Sequence, residues 1–201
     1  MKMYKKVMAA ALAGVMTVSM SATAFAADDD GYILKATNED SKSSDNDLVI
    51  AIEGSVSSMD PANIPDTNAI SATRGVYETL VSFDENQELT GKLAESWEVS
   101  DDSLTYTFKL RQGVKFQDGT DFNAAAVKAN YDRVVNKDNN LRQRRTFIVT
   151  NEDGSETPRV DSIETPDDYT LVIKLTQAWA PFINRLTQFC IISPAALEAV
   201  S

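Results

Sequence analysis

The chain has 201 residues, of which 19 are basic, 30 are acidic and none is histidine, so its formal net charge is −11. An acidic surface repels nucleic acid and anionic lipid, which argues against both as partners. The lack of histidine excludes Ser-His and Cys-His nucleophile pairs and imidazole metal sites within the chain. The single cysteine, Cys190, leaves no internal disulfide and is expected to be a buried, inert thiol among apolar neighbours.

The first 26 residues have the pattern of a secretory signal. Three lysines precede an apolar stretch from Val7 to Met20, and Ala24-Phe25-Ala26 offers a cleavage site. A membrane helix is the alternative, but the apolar stretch is short and lacks a stop-transfer flank. Cleavage would remove three lysines and change the net charge to −14. Because no cysteine lies near the site, we expect a periplasmic or extracellular protein that is not lipid-anchored.

The first part of the mature chain changes from polar to apolar. Residues 27–46 are polar and acidic, which predicts a disordered linker. The continuous apolar run Leu48–Ile52 is typical of a strand covered on both faces. A loop then leads to a helix for which Thr67 or Asn68 is the expected N-cap. One face of this helix is predicted to carry Ile70, Thr73, Tyr77 and Leu80.

The middle of the chain predicts two strands and a capped helix. Apolar and polar residues alternate from Leu104 to Leu110, which is the period of a half-buried strand, and Asp101-Asp102-Ser103 supplies the turn before it. Alternation resumes briefly at Val114-Lys115-Phe116 and ends at the Asp118-Gly119 turn. Asn123 is expected to cap the helix that follows. Its apolar face is predicted to carry Val127, Tyr131 and Val134.

The last part predicts one more strand and two helices. Tyr169, Leu171, Ile173 and Leu175 alternate as a strand. Pro181 begins a short helix, Ile191-Ile192 resembles a strand, and Ser193 caps a helix that starts at Pro194. Trp97 and Trp179 are more consistent with packing between elements than with stacking on a ligand. The sequence reaches Ser201 with no signal that ends the helix begun at Pro194, which predicts an N-terminal fragment or a truncated product.

These residues carry a family resemblance. The run Leu93–Arg133 resembles the extracellular solute-binding proteins that serve peptide, glutathione and nickel ABC importers, with Ser103 where that family usually has glycine. The segment Lys115–Asn130 is most similar to the glutathione-importing branch. Further matching motifs extend the resemblance from Leu48 to the end of the chain: Met59-Asp60-Pro61, Val76-Tyr77-Glu78-Thr79-Leu80, Pro181-Phe182 and Ile192-Ser193-Pro194-Ala195-Ala196.

The resemblance implies an α/β fold of the type II periplasmic-binding-protein class, present in part. Residues 47–74 would begin lobe one, residues 75–189 would form a small accessory α+β domain, and residues 190–201 would begin the return to lobe one, with the second lobe absent. Such proteins close two lobes around a solute and present it to a membrane permease. The implied function is the binding component of an ABC importer for di- or oligopeptides or glutathione-like solutes.

The same resemblance implies a monomer that is not an enzyme and has no cofactor. An enzyme would need a catalytic group that the chain lacks, since Ser57-Ser58 has no base partner. No metal site is expected either, because the acidic runs lack the spacing of a calcium loop. A secreted interaction or adhesion module, built on the accessory domain alone, is the alternative and would make 201 residues a complete protein.

Two groups of residues are candidates for contacts with a solute. Relatives place ligand contacts on the loop that corresponds to Asp66-Thr67-Asn68, where helix amides suit a carboxylate and Asp66 suits an ammonium. Helix capping is the competing role for this loop. The nickel branch has an RQR motif followed by an aromatic residue, which carries over to Arg144 and Phe147. A guanidinium there suits a carboxylate or a metal chelate; a solvated basic turn is the alternative.

Overall fold

The structure of the protein is a computed structural model that describes residues 54–199. The predicted signal, the acidic linker and the apolar run Leu48–Ile52 lie outside the described residues. The helices are α1 Thr67–Arg74, α2 Ala124–Val135, α3 Arg144–Phe147, α4 Phe182–Leu186 and α5 Pro194–Ala199, and short 3-10 helices occupy Pro61–Asn63 and Lys137–Asn139.

Ten strands accompany these helices in the described part of the chain. They are β1 Glu78–Thr79, β2 Val81–Phe83, β3 Leu89–Gly91, β4 Ala94–Val99, β5 Thr105–Leu110, β6 Ile148–Thr150, β7 Glu156–Pro158, β8 Val160–Asp167, β9 Thr170–Leu175 and β10 Cys190–Ile191. Four of them form an antiparallel sheet in the order β4-β5-β9-β8, and the other six pair two by two as β1-β10, β2-β3 and β6-β7.

The alternating patterns correctly predicted the two central strands of the sheet. Tyr106 of β5 lies opposite Ile173 of β9, and Phe108 lies opposite Leu171, with all four side chains buried. Helix α4 packs on this face, where the ring of Phe182 meets that of Tyr106 edge to face at 4.8 Å between centroids. The period of two in the sequence therefore becomes one apolar sheet face beneath a helix.

Helix α2 begins where its capping residue predicted. The Asn123 side-chain oxygen accepts a hydrogen bond from the Ala126 amide at 2.9 Å. Val127 and Val134 are buried, and Tyr131 packs against the same core. The predicted short strand at 114–116 is reduced to a single bridge between Lys115 and Asp121, because the chain turns back at once through Gly119 with φ +87.

The predictions for helix α1 were wrong at both ends. Its N-cap is Asp66, whose carboxylate accepts from the Ala69 amide at 2.8 Å, rather than Thr67 or Asn68. The helix stops at Arg74 because Gly75 is a poor helix former and takes the C-cap position, so Tyr77 and Leu80 lie beyond it. Ile70 is 40% exposed, and the buried positions are Ala69 and Thr73 instead.

The first and last strands bring two distant parts of the chain side by side. Glu78 of β1 lies opposite Ile191 of β10, and Thr79 lies opposite Cys190. After β10, Ser193 accepts from the Ala195 amide through its hydroxyl at 3.2 Å, and α5 starts at Pro194 as expected. Among residues 54–199, no helix combines the length and the apolar character needed to cross a bilayer.

Candidate functional site

The loop before α1 holds Asp66 as an ionised and oriented carboxylate. One oxygen accepts from the Ala69 amide, and the other accepts from the Ser57 hydroxyl at 2.5 Å. The hydrogen bond from Ser57, followed by that from Ala69, lowers the pKa of Asp66 below its usual value. Asp66 is half-buried and the neighbouring Thr67 is exposed, so the loop presents an anion with a hydroxyl beside it.

Gly54 itself lies against the first turn of α1. A Cβ atom built on Gly54 would be 2.5 Å from the Asn68 side-chain nitrogen, and the backbone at Gly54 has φ +110. Both facts favour glycine, because another residue would collide with Asn68 and would also be strained. The predicted loop Asp66-Thr67-Asn68 therefore has the backbone of Gly54 packed against its last residue.

A groove of about 440 Å³ lies between the 3-10 helix Pro61–Asn63, the segment before β1 and the segment after β10, and its walls do not include residues 66–68. Its walls are mainly apolar, and they include Met59, Pro61, Val76, Tyr77, Ile192 and Ala196. Asp60 also lines the groove, but Arg133 binds its carboxylate with two hydrogen bonds of 3.2 and 2.7 Å. Arg133 of α2 thus neutralises the charge of Asp60, and this ion pair joins the 3-10 helix Pro61–Asn63 to α2.

The Arg144 side chain is only 19% exposed and is already paired. Its guanidinium binds both carboxylate oxygens of Glu156, one of them at 2.8 Å, and its Nε donates to the Val135 carbonyl at 2.8 Å. The pairing raises the pKa of Arg144 and lowers that of Glu156. A solute carboxylate would therefore have to compete with Glu156 for this guanidinium.

Phe147 lies in the core, away from the surface that carries Arg144. It is 2% exposed, and its ring sits between those of Tyr131 and Phe189 at 5.2 Å from each centroid. The structure therefore does not bring Arg144 and Phe147 together as one surface, although they are only three positions apart. In its observed place Phe147 supports packing between α2 and the segment before β10.

The packing role predicted for Trp97 and Trp179 is confirmed, whereas Cys190 is half-buried rather than buried. Trp179 packs on Phe182 and lies 4.0 Å beneath the guanidinium of Arg159, while Trp97 lies opposite Phe108 in the sheet. Burial raises the pKa of the Cys190 thiol to about 11, which makes it a poor nucleophile. Within residues 54–199, no three acidic or cysteine side chains are gathered closely enough to hold a metal ion.

Sequence reasoning missed the part played by Ser57. Its hydroxyl orients Asp66 across nine positions that include a loop and the 3-10 helix Pro61–Asn63. A loop without periodicity carries no signal for such a contact, whereas the Asn123 cap was visible because it sits next to its helix.

Comparisons with known proteins agree with this architecture. The model of the bacterial extracellular solute-binding proteins, family 5 Middle, matches residues 88–199. The glutathione-binding protein GsiB of Escherichia coli K12 is 37% identical over 187 residues, which is 92% of this chain and 31% of that protein. The chain thus spans about a third of the length of the curated relatives it matches.

Solved structures give the same result. The periplasmic binding protein DppA of Helicobacter pylori, solved with the peptide STSA, is 30% identical with a TM-score of 0.57 and covers 72% of this chain and 30% of that one. NikA of Brucella suis, solved with Fe(III)-EDTA, is 34% identical with a TM-score of 0.57 and covers 70% of this chain and 26% of that one. The predicted fold class, a partial type II periplasmic-binding-protein fold, is confirmed by these neighbours. The chain belongs to the bacterial extracellular solute-binding proteins of family 5.

Proposed function

We propose that this chain is part of the binding component of an ABC importer, which captures di- or oligopeptides or glutathione-like solutes and delivers them to a membrane permease. The observation that carries the proposal is the 37% identity to a glutathione-binding protein across 92% of the chain. Its secretory-type N-terminus fits delivery to the periplasm or the cell exterior. Capture requires no bond-making, which agrees with the absence of histidine from the sequence.

The proposed division of the chain follows the two places where it would pass between lobe one and the accessory domain, which are the segment before β1 and the segment after β10. Residues 47–74 would begin lobe one, residues 75–189 would form the accessory domain, and residues 190–201 would begin the return. The pairing of β1 with β10 supports these boundaries, because the chain enters and leaves the proposed accessory domain through adjacent strands. Closure of a second lobe over this part would exclude water from the solute. Affinity would then depend on how strongly the solute prefers the closed state.

Asp66 is the proposed contact for a solute ammonium group. An ionised carboxylate offers about four acceptor positions, and the Ser57 hydroxyl and the Ala69 and Asn68 amides contact it from the protein side. The same negative charge stands at the start of α1, where it would repel a solute carboxylate. The loop Asp66-Thr67-Asn68 thus suits the amine end of a peptide or of glutathione better than a carboxylate end.

Solute contacts by Arg144 and Phe147 stay predictions, and each would disturb contacts that the side chain makes in this structure. Arg144 would have to share its guanidinium between Glu156 and a solute carboxylate. Phe147 would reach a solute only if its ring left the core between Tyr131 and Phe189. The site therefore rests mainly on the loop at 66–68.

The test uses the complete protein encoded at the locus that contains this chain. Glutathione and a panel of di- and tripeptides are titrated calorimetrically, each with a free or an acetylated amine. We expect Asp66→Asn to weaken binding of the free-amine solutes by roughly tenfold or more, as for the loss of a charge-assisted contact, and to leave the already weak acetylated solutes unchanged. The matched control is Asp84→Asn, since Asp84 also accepts from two backbone amides in an exposed turn.

Three outcomes would contradict different parts of the proposal. Unchanged affinity in Asp66→Asn would remove Asp66 from the site while leaving the importer function in place. A complete protein that binds no member of the panel would argue against the solute class. An open reading frame that stops at codon 201, with no permease or ATPase genes beside it, would instead favour the secreted interaction module.

A further inference from the structure

Two hairpin turns in the described part of the chain contain the pair Asp-Gly. One is Asp118-Gly119, and the other is Asp153-Gly154. Both glycines have a positive φ, +87 at Gly119 and +82 at Gly154. The Gly119 amide donates to the Phe116 carbonyl at 2.9 Å, and the Gly154 amide donates to the Asn151 carbonyl at 3.0 Å. The backbones of the two turns are therefore closely similar.

The local bonds of the two carboxylates are also alike. One oxygen of Asp118 accepts from the Thr120 amide at 2.9 Å and from the Thr120 hydroxyl at 2.6 Å. One oxygen of Asp153 accepts from the Ser155 amide at 2.9 Å and from the Ser155 hydroxyl at 2.6 Å. Bonds within the turns therefore do not distinguish the two Asp-Gly pairs.

Tertiary contacts hold the turn at Asp118. Its second carboxylate oxygen accepts a hydrogen bond from the Ser193 hydroxyl, which is 75 positions away and belongs to a buried residue. The neighbouring Gln117 side chain donates to the Val76 carbonyl at 2.8 Å. Opening this turn therefore breaks a hydrogen bond to a charged group in addition to the bonds within the turn.

The turn at Asp153 has no comparable contact among residues 54–199. Strands β6 and β7 form a two-stranded sheet of their own, and residues 150–158 are all exposed. The described hydrogen bonds of Asp153 all go to Ser155. A hairpin of two strands is only marginally stable in water, so its tip opens more readily than a turn that is tied to the core.

We propose that Asp153-Gly154 is a site of spontaneous isoaspartate formation, and that Ser193 protects Asp118-Gly119 from the same reaction. Once the turn opens, the Gly154 nitrogen bonds to Cγ of Asp153 and gives up its proton. The protonated carboxyl group loses its hydroxyl, which leaves with that proton as water, and a cyclic imide remains. Glycine favours this attack because it has no Cβ to crowd its nitrogen.

Water then opens the imide at the main-chain carbonyl of Asp153. The bond between that carbonyl and the Gly154 nitrogen breaks, so the peptide linkage runs through Cγ and a free carboxylate stays on Cα. The product has the original composition but one more carbon in its main chain. This carbon lies in the turn between Thr150 and Glu156, which are paired across β6 and β7, and Glu156 is the residue that binds Arg144. The proposal does not depend on the proposed function.

The test follows both sites in the folded 201-residue chain during incubation at neutral pH. Peptide mapping with electron-transfer fragmentation distinguishes isoaspartate from aspartate at equal mass. We expect isoaspartate to accumulate at least roughly tenfold faster at Asp153 than at Asp118, as one additional hydrogen bond to a charged group would cause. The matched control is the same chain in concentrated urea, where the two rates should agree. Equal rates in the folded chain, or a faster reaction at Asp118, would overturn the proposal.

Two variants separate protection from intrinsic reactivity. Ser193→Ala removes the donor to Asp118, so the rate at Asp118 should rise towards that at Asp153 while the latter stays unchanged. An unchanged rate at Asp118 would contradict protection by Ser193. A rise at both sites would reflect unfolding, and the wild-type comparison then decides the proposal. Asp153→Glu should abolish the product at position 153 and leave Asp118 unaffected, because the longer side chain closes a larger ring that forms slowly.

Discussion

Ser103 occupies a backbone conformation that favours glycine. It lies in the β4-β5 turn with φ 57, and its amide donates to the Ser100 carbonyl at 2.8 Å. A side chain in this left-handed region costs about 1–2 kcal/mol relative to glycine. This cost explains why the family motif usually has glycine where the chain has serine.

We predict that Ser103→Gly stabilises the protein. The relief of backbone strain exceeds the extra entropy that glycine adds to the unfolded chain, which leaves a net gain of about 0.5 kcal/mol in the free energy of unfolding. Chemical denaturation of the two proteins measures this gain. Ser162→Gly in strand β8 is the control and should destabilise, because glycine weakens a strand interior. A destabilised Ser103→Gly would show that the turn depends on the serine side chain.

Arg144 and Phe147 show why a binding motif of the nickel branch cannot be assigned to this chain from the sequence alone. The spacing in the sequence was correct, but α3 has only four residues and directs the two side chains to different surroundings. Phe147 fills the core, where removing a phenylalanine ring typically costs about 3–5 kcal/mol. A residue with that packing role is explained by stability alone. The sequence carries no mark that separates this role from a ligand contact.

Aspartates close the turns of the β4-β5, β6-β7 and β8-β9 hairpins. Asp102 in the β4-β5 turn accepts from the Ser100 hydroxyl and the Leu104 amide, and Asp153 in the β6-β7 turn accepts from Ser155. Asp167 in the β8-β9 turn accepts from the Tyr169 amide. These bonds lower the pKa of each aspartate below its usual value of 3.8, the first cause being Ser100, Ser155 and the Tyr169 amide, respectively.

We predict that acid weakens these hairpins together. A carboxyl group whose pKa is lower in the folded state contributes stability that is fully present above its unfolded pKa. That contribution disappears as the pH falls through the folded pKa, so the melting temperature should drop below about pH 4. Thermal unfolding followed by circular dichroism from pH 7 to pH 2.5 measures the drop. Replacing all three aspartates with asparagine should flatten this part of the curve, and an equally steep curve would contradict the assignment.

Helix α1 illustrates why helices were harder to delimit than strands. Apolar residues at helical spacing continued past Gly75, and the sequence pattern alone could not show which of them left the helix. The structure ends the helix at Arg74 and uses Leu80 between two strands, where it is completely buried. Burial of Leu80 in the sheet region outweighs the weak helical preference of the intervening residues.

At the scale of the whole molecule, the 201-residue chain should bind solutes poorly by itself. Since it spans about a third of its curated relatives, most of a two-lobed cleft would be supplied by residues outside it. A single wall leaves a solute exposed to water on its other side, and an open site gains little from charge pairing in water. Calorimetry with glutathione and a peptide panel tests this. A micromolar dissociation constant would show that this part alone forms a complete site.

The sequence by itself determined the family, the fold class, the central strands β5 and β9, the order of helices α1, α2, α4 and α5, and the caps at Asn123 and Ser193, but it missed most of the shorter strands. These features depend on local periodicity and on contacts between neighbours in the chain, so the sequence displays them directly. Only the tertiary structure decided that Ser57 orients Asp66, that Glu156 holds Arg144 and that the hairpin Lys115–Asp121 reaches Val76 and Ser193. Such contacts join residues that are distant in the chain. They form because the sheet and helices bring backbone segments together, and no local pattern encodes that placement.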